Sequence, residues 1–156
     1  MHSKIFEISR SPISKDNRLT SAYFEDDHES YADYIGDDVE ESERAYYIDI
    51  FNVFPFLKVD GDKVTFTSTQ DLHTFIDVWI DEIKEKVASL DIDNIFRTDG
   101  YIAEKMFEIT HENIYSRFYI HDYNGWAAPV SDFIEWCQGL TDGDEFYIGG
   151  IIDFHH

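Results

Sequence analysis

The sequence predicts an α+β fold: an antiparallel sheet with one long amphipathic helix and one or two shorter helices packed against it. Three observations lead there. One stretch, from Thr69 to Leu90, carries an apolar period of three and four residues. Several shorter stretches alternate apolar and polar residues between turn dipeptides. The 156 residues contain no internal repeat, no Pro- or Ser-rich linker and no low-complexity segment, so residues 1–156 read as one domain.

Ile5 to Ile8 reads as a first strand. Around Tyr46 two periods compete. Tyr46, Ile48 and Ile50 alternate like a strand, whereas Arg44, Tyr47, Ile48 and Phe51 match helical steps. Phe56 to Thr67 reads as a hairpin about Asp60-Gly61, a dipeptide that accepts positive φ. The long helix follows. Leu72, Phe75, Ile76, Trp79, Ile80, Ile83 and Val87 form its inward stripe, and Ser68 with Asp71 resembles a capping box. Asp77, Asp81, Glu82, Lys84, Glu85 and Lys86 make the wet face.

Residues 92–104 favour neither period. A second hairpin is expected from Lys105 to His121, turning near His111. Its return strand would place Ile114, Phe118 and Ile120 on one face and Tyr115, Arg117, Tyr119 and His121 on the other. A short helix is expected from Pro129 to Gly139, with Val130, Phe133, Ile134 and Cys137 inward. The chain closes on a strand through Phe146 and Ile148, with Gly149-Gly150 as a bulge before Ile151 and Ile152.

Charge is the most unusual property of the chain. Against 33 Asp and Glu stand 12 Lys and Arg, a net charge of −21. Yet 43% of the residues are hydrophobic and 17% aromatic, enough to build a core. Surplus of this sign opposes compaction, keeps a protein soluble and selects cationic partners. It disfavours direct contact with nucleic acid or anionic lipid. No apolar run reaches the length of a membrane span, and a single cysteine, Cys137, offers no internal disulfide. A soluble cytoplasmic protein is the expectation.

The anions are unevenly spread. Glu25, Asp26, Asp27, Glu29, Asp33, Asp37, Asp38, Glu40, Glu41 and Glu43 place ten carboxylates in nineteen residues, with Arg44 the lone base between residues 21 and 57. Like charges so close repel, so stability alone does not account for the cluster. Tyr31, Tyr34, Ile35 and Val39 are interleaved and could anchor a short helix at Ser30–Ile35. Anchored, the segment becomes a negative ridge able to occupy a groove built for phosphates, which duplex DNA spaces at roughly 1.7 Å of axis. Unanchored, it is an acidic loop that serves solubility. Asp142, Asp144 and Glu145 could extend the ridge.

Other chemistry is poorly supported. Asp91-Ile92-Asp93 begins like a calcium loop, but Ile95, Phe96 and Ile102 stand where an oxygen ligand, the glycine and the final glutamate belong. Asp60-Gly61-Asp62 and Asp142-Gly143-Asp144-Glu145 are turn sequences. His73, His111 and the His121-Asp122 pair lack metal-ligand spacing. Cys137 sits on an inward helical face, among acids that would raise its pKa. No phosphate-cradling glycine motif occurs. No metal, cofactor or catalytic residue is therefore expected. Tyr115, Arg117 and Tyr119 form an aromatic set that could line a ligand face.

In bulk charge and size the chain resembles two groups of small acidic proteins, DNA mimics that block defence nucleases and immunity proteins that neutralise nuclease toxins. That resemblance implies charge-complementary docking on a basic partner and nothing about fold. The leading expectation is a non-enzymatic interaction or inhibitor protein whose ridge docks on a basic protein, a nuclease or a DNA-binding protein. The alternative is a small-ligand-binding or enzymatic domain using the aromatic sheet face, with acidity serving only solubility.

Overall fold

A computed structural model describes residues 2–24, 34–91, 93, 96, 100, 118–121 and 127–155. The described residues form β1 (His2–Ser9), β2 (Tyr34–Asp38), α1 (Arg44–Ile48), β3 (Leu57–Asp60), β4 (Lys63–Phe66), α2 (Thr69–Ala88), β5 (Tyr119–His121), β6 (Ala127–Pro129), α3 (Val130–Cys137) and β7 (Glu145–His155). The α+β class holds. All seven strands join one sheet in the order β3-β4-β7-β1-β5-β6, with β2 also paired to β7. The sheet is mixed, however. β1 and β5 run parallel, Ile5 opposite Tyr119 and Glu7 opposite His121, while the other pairs are antiparallel. Parallel neighbours need a long connection, which the chain between β1 and β5 supplies.

The expected bulge is present and organises the sheet. Phe6 pairs with Ile151 and Ile8 with Ile148, so Gly149 and Gly150 together oppose Glu7. One extra residue flips the side-chain parity of β7. Before the bulge Phe146 and Ile148 enter the larger core; after it Ile151 does, while Ile152 and Phe154 turn to the opposite face. On β1, Phe6 and Ile8 face the larger core and Ile5 faces the smaller one.

The larger core collects aromatic rings from every layer. Phe51 lies edge-on to Phe6 at 5.2 Å and to Phe133 at 5.6 Å, and Phe118 stands 5.4 Å from Phe6. Val130, Phe133, Ile134 and Cys137 of α3 are all buried there, as their spacing predicts. The smaller core is covered by residues 10–24, which add Leu19 and Phe24 over Ile5, Ile152, Phe154, Ile35 and Tyr119.

The hairpin at Asp60-Gly61 is β3–β4, with Gly61 at φ 62°. The competition around Tyr46 resolves as helix: α1 passes into a 3-10 turn, Asp49–Val53, and buries Ile48 and Phe51. At the start of α2, Ser68 Oγ accepts from Asp71 N at 3.0 Å and Asp142 accepts from Thr69 N at 2.7 Å.

Two expectations are corrected. The stripe of α2 is core only near its start: Leu72 is buried and Phe75, Ile76, Trp79 and Ile83 half-buried, but Ile80 and Val87 are 41% and 49% exposed. Periodicity identifies the inward face and says nothing about how far the opposing surface extends along a helix about 30 Å long. The expected helix at Ser30–Ile35 also fails at its described end, because Tyr34 and Ile35 belong to β2. Ile35 pairs with Phe154, where β7 beyond the bulge has an edge to fill. The hairpin expected from Lys105 to His121 lies outside the described residues except at Phe118–His121. There Phe118 and Ile120 enter the larger core and Tyr119 the smaller, as the alternation predicts.

A Cβ on Gly150 would run into the Leu19 carbonyl, and one on Gly149 into the Glu7 carboxylate and Ile13. Gly150→Ala should therefore cost about 3 kcal/mol or more, since backbone must move. Gly61→Ala has open space and should cost only about 1–2 kcal/mol for its left-handed backbone. Urea denaturation of both variants checks the order.

Candidate functional site

The described part of the acidic segment runs from the end of β2 into α1. Asp37, Asp38, Glu40, Glu41 and Glu43 lie there and all are exposed. Glu25, Asp26, Asp27, Glu29 and Asp33 lie outside the described residues. The backbone carrying the five is pinned. Asp38 pairs with Ile152, Val39 N donates to Ile151 O at 2.8 Å, and Glu43 N donates to Glu40 O at 2.9 Å.

Arg44 fastens the far end. On one edge β7 pairs first with β4, as far as Tyr147, and then with β2 from Ile152 onward. Among the described residues no strand covers the carbonyls between. The Arg44 guanidinium does: it donates to Gly149 O at 2.7 Å and Ile148 O at 3.2 Å, and to Asp62 Oδ1 at 2.8 Å. Its residue is only 5% exposed. Asp62 also accepts from Arg18 at 2.8 Å, and Arg18 donates to Glu41 at 2.8 Å, with Lys15 3.6 Å away. Glu7 Oε2 completes the junction by accepting from Gly150 N at 2.7 Å and Leu19 N at 2.8 Å.

The ridge therefore divides into two sets. Glu41 is held by Arg18, and Asp38 accepts from Ser21 N at 2.6 Å, so both tie the segment to residues 15–21. Asp37, Glu40 and Glu43 make no side-chain hydrogen bond or ion pair among the described residues. Within the described part of the ridge these three carboxylates are unengaged. The proposed extension is occupied internally: Asp142 caps α2, Asp144 accepts from Thr141 N at 2.8 Å and Glu145 pairs with Lys63 at 3.0 Å.

Of the possible ligand face, Tyr115 and Arg117 lie outside the described residues. Tyr119 is half-buried and packs edge-on against Phe154 at 4.9 Å, which makes it part of the smaller core. His121 is buried, with ring contacts to Tyr23 and Phe24 at 5.4 and 5.6 Å, and His73 is exposed. His111 and Asp122 are outside the described residues. Among the described residues no group of three or more His, Cys, Asp or Glu could hold a metal ion. Burial pushes the Cys137 thiol up to about 12, only partly opposed by Arg10. Desolvation rather than the acidic surroundings is the cause, and a thiol so placed stays protonated. Among the described residues no helix is long and apolar enough to cross a membrane.

Sequence reading missed Arg44, Arg18 and Glu7 as the residues that set the ridge. One signal was available: a single base amid eleven acids, on a helical apolar face, implies a buried partner set. No protein-family model, curated protein or solved structure matches the chain.

Arg44→Met should cost about 3 kcal/mol, because two carbonyls lose charge-assisted bonds. Arg44→Lys should restore little of it, since one ammonium cannot span three acceptors set for a planar fork. Chemical denaturation of the two variants measures both.

The pH profile should be set by two opposed effects. Thr69 N–H holds the Asp142 pKa below its usual value, Thr141 N–H does so for Asp144, and the Lys63 hydrogen bond does so for Glu145. At Glu41 desolvation is the largest single effect and pulls upward, but the Arg18 hydrogen bond and the charges of Arg18, Lys15 and Arg44 together outweigh it and lower the pKa. Lowered folded values mean that these contributions are intact above the ordinary carboxylate range. They are lost as pH falls through the folded values. Repulsion among the surplus anions acts oppositely and relaxes as carboxylates begin to protonate. Thermal stability should rise from pH 8 to about 5 and collapse below about 4, and at pH 8 added NaCl should raise Tm. A Tm that falls with salt would mean that ion pairs outweigh repulsion.

Proposed function

We propose that this protein is a non-enzymatic interaction or inhibitor protein that docks on a basic, nucleic-acid-handling partner, with Asp37, Glu40 and Glu43 at the centre of the contact. The observation that carries the reading is the anchoring of these exposed anions. They project from a connection fixed by the β2–β7 pairing, by Val39 and by Arg44, so their spacing does not have to be organised on binding. The internal use of cations supports it. Lys4, Arg10, Lys15, Arg18, Arg44, Lys63 and Lys84 all pair with carboxylates of the chain itself. The field outside is then dominated by unpaired acids, which steer and orient a positively charged surface.

The division of the ridge dictates the test. Neutralising Asp38 or Glu41 would disturb the fold, whereas Asp37→Asn, Glu40→Gln and Glu43→Gln remove charge from side chains that make no hydrogen bond or ion pair among the described residues. Basic nucleic-acid-binding proteins retained from lysate at 20 mM NaCl should be released by 300 mM NaCl. The triple variant should lose them at 20 mM, with a loss of about tenfold in affinity for the retained protein once purified. Asp77→Asn, Glu82→Gln and Glu85→Gln on α2 remove as much charge elsewhere and should leave binding within about twofold. Equal losses from the two triples would mean that only total charge matters, and the ridge reading would be wrong.

A further inference from the structure

Next to the ridge lies a groove of about 440 Å³ lined by Ser3, Lys4, Phe6, Tyr46, Tyr47, Asp49, Ile50 and Val53. Its floor is the buried ring of Phe6, and its rim contains the most exposed large apolar side chains of this region. Tyr46 is 78% exposed and Val53 48%. Tyr46, Asp49, Ile50 and Val53 recur at steps of three and four along α1 and the following 3-10 turn, so they share one side of the helical segment. An isolated exposed aromatic needs no explanation, but one set beside an apolar groove and an exposed carboxylate forms a definite chemical surface.

The wall of this groove already accommodates a cation. Lys4 Nζ lies over the Tyr47 ring at 4.7 Å from its centroid and pairs with Asp153. Tyr46 stands beside Tyr47, edge to face at 5.2 Å, and most of its side chain is open to solvent. Asp49, one turn on, is exposed and receives a hydrogen bond from Asn52 Nδ2 through Oδ1 at 2.7 Å, which holds the carboxylate in place. A ring face, an oriented carboxylate and an aliphatic trough from Ile50 and Val53 are the three elements that a guanidinium and its methylene stem engage.

We propose that the Tyr46–Asp49–Val53 groove is a specificity subsite that receives an arginine side chain of the basic partner. The proposal rests on the docking reading and deepens it. The ridge supplies attraction that any cationic surface would feel, and the groove supplies contact that only a correctly placed cationic side chain can make. Arginine is favoured over lysine because the planar ion stacks on a ring while its edge donates to a carboxylate. Charge complementarity selects this occupant. Asp49 puts an exposed carboxylate on the rim. Tyr46 N donates to Glu43 O at 3.0 Å, so the rim begins one turn from the last anion of the ridge. The groove's own cation, Lys4, is already paired with Asp153.

The test uses the full chain with capped hexaarginine and hexalysine peptides as probes, by isothermal titration at 20 and 150 mM NaCl. The ring resonances of Tyr46 are followed by NMR. Hexaarginine should bind more tightly than hexalysine and should shift the Tyr46 resonances. Tyr46→Ala and Tyr46→Leu should each weaken hexaarginine about fivefold, while Tyr46→Phe, which keeps the ring face, should bind like the wild type. Tyr46 is too exposed for these changes to threaten folding.

Wild-type affinity in Tyr46→Ala, with strong loss in the Asp37/Glu40/Glu43 triple variant, overturns the groove and leaves the ridge standing. Loss in Tyr46→Ala without any loss in that triple variant overturns the ridge and supports the groove. Equal affinity for the two peptides, or a Tyr46→Leu variant that binds like the wild type, overturns the arginine assignment. A concentration-dependent dimer in sedimentation that Tyr46→Ala abolishes would make a second copy the occupant and likewise overturn it.

Discussion

How β7 satisfies the side it turns toward β4 and β2 governs the architecture of this protein. That strand is the hub of the sheet, yet two different strands share one of its sides and leave backbone carbonyls exposed between them. Unpaired carbonyls in a buried seam cost about as much as a lost hydrogen bond each. A side chain able to reach several acceptors at once solves the problem, and the Arg44 fork does so at Ile148 and Gly149 while holding Asp62. The consequences spread outward. Because Arg44 opens α1, filling the seam fixes where α1 begins, and with it the path of the acidic connection from β2. Because Asp62 also binds Arg18, the covering segment over the smaller core is tied to the same point.

Bulge and seam act together. Without the extra residue at Gly149-Gly150, side-chain parity would run unbroken along β7, so Ile152 and Phe154 would point to the side of the larger core and Ile151 away from it. With it, one strand supplies two cores, and a sheet of short strands acquires cover on both faces. The two glycines are the structural condition for this arrangement. The Glu7 carboxylate and the Leu19 carbonyl come so close that no side chain fits, and that closeness lets Glu7 bond both Gly150 N and Leu19 N.

Local elements were readable in sequence wherever one short stretch contained its own explanation. The Ser68 cap, the Asp60-Gly61 turn, the inward face of α3 and the Gly149-Gly150 bulge all follow from neighbouring residues, and each was found. What escaped depends on distant partners. Ile35 is a strand residue because Phe154 lies opposite it, some 120 positions later. The parallel pairing of β5 with β1 has no local signature. The exposure of Ile80 and Val87 depends on what stands opposite α2, which periodicity cannot encode. The candidate site shows the same division. Sequence located the run of acids at residues 25–43 but could not sort Asp38 and Glu41, which are bound internally, from Asp37, Glu40 and Glu43, which are not. That distinction depends on Ser21 and Arg18, residues on a different part of the chain.

This sorting changes the meaning of the charge surplus. Exposed ion pairs contribute little to stability, on the order of 0–1 kcal/mol each, so the Lys and Arg of this protein are poorly explained as stabilisers. Arg44 departs furthest from that rule, because it is buried and meets backbone, and the side chains of Arg18 and Lys4 are also largely covered. For Arg18 and Lys15 the effect is positional: by engaging Glu41 they fix one carboxylate of the run and leave its neighbours unneutralised. A disordered acidic tail of equal charge would lose conformational entropy on docking, at roughly 1–2 kcal/mol per residue ordered. The connection from β2 to α1 loses that entropy on folding, where the sheet and Arg44 compensate it. Attraction between its anions and a cationic surface is therefore not offset by ordering of this segment. The same residues in a flexible tail would give a comparable association rate from steering, but a faster dissociation.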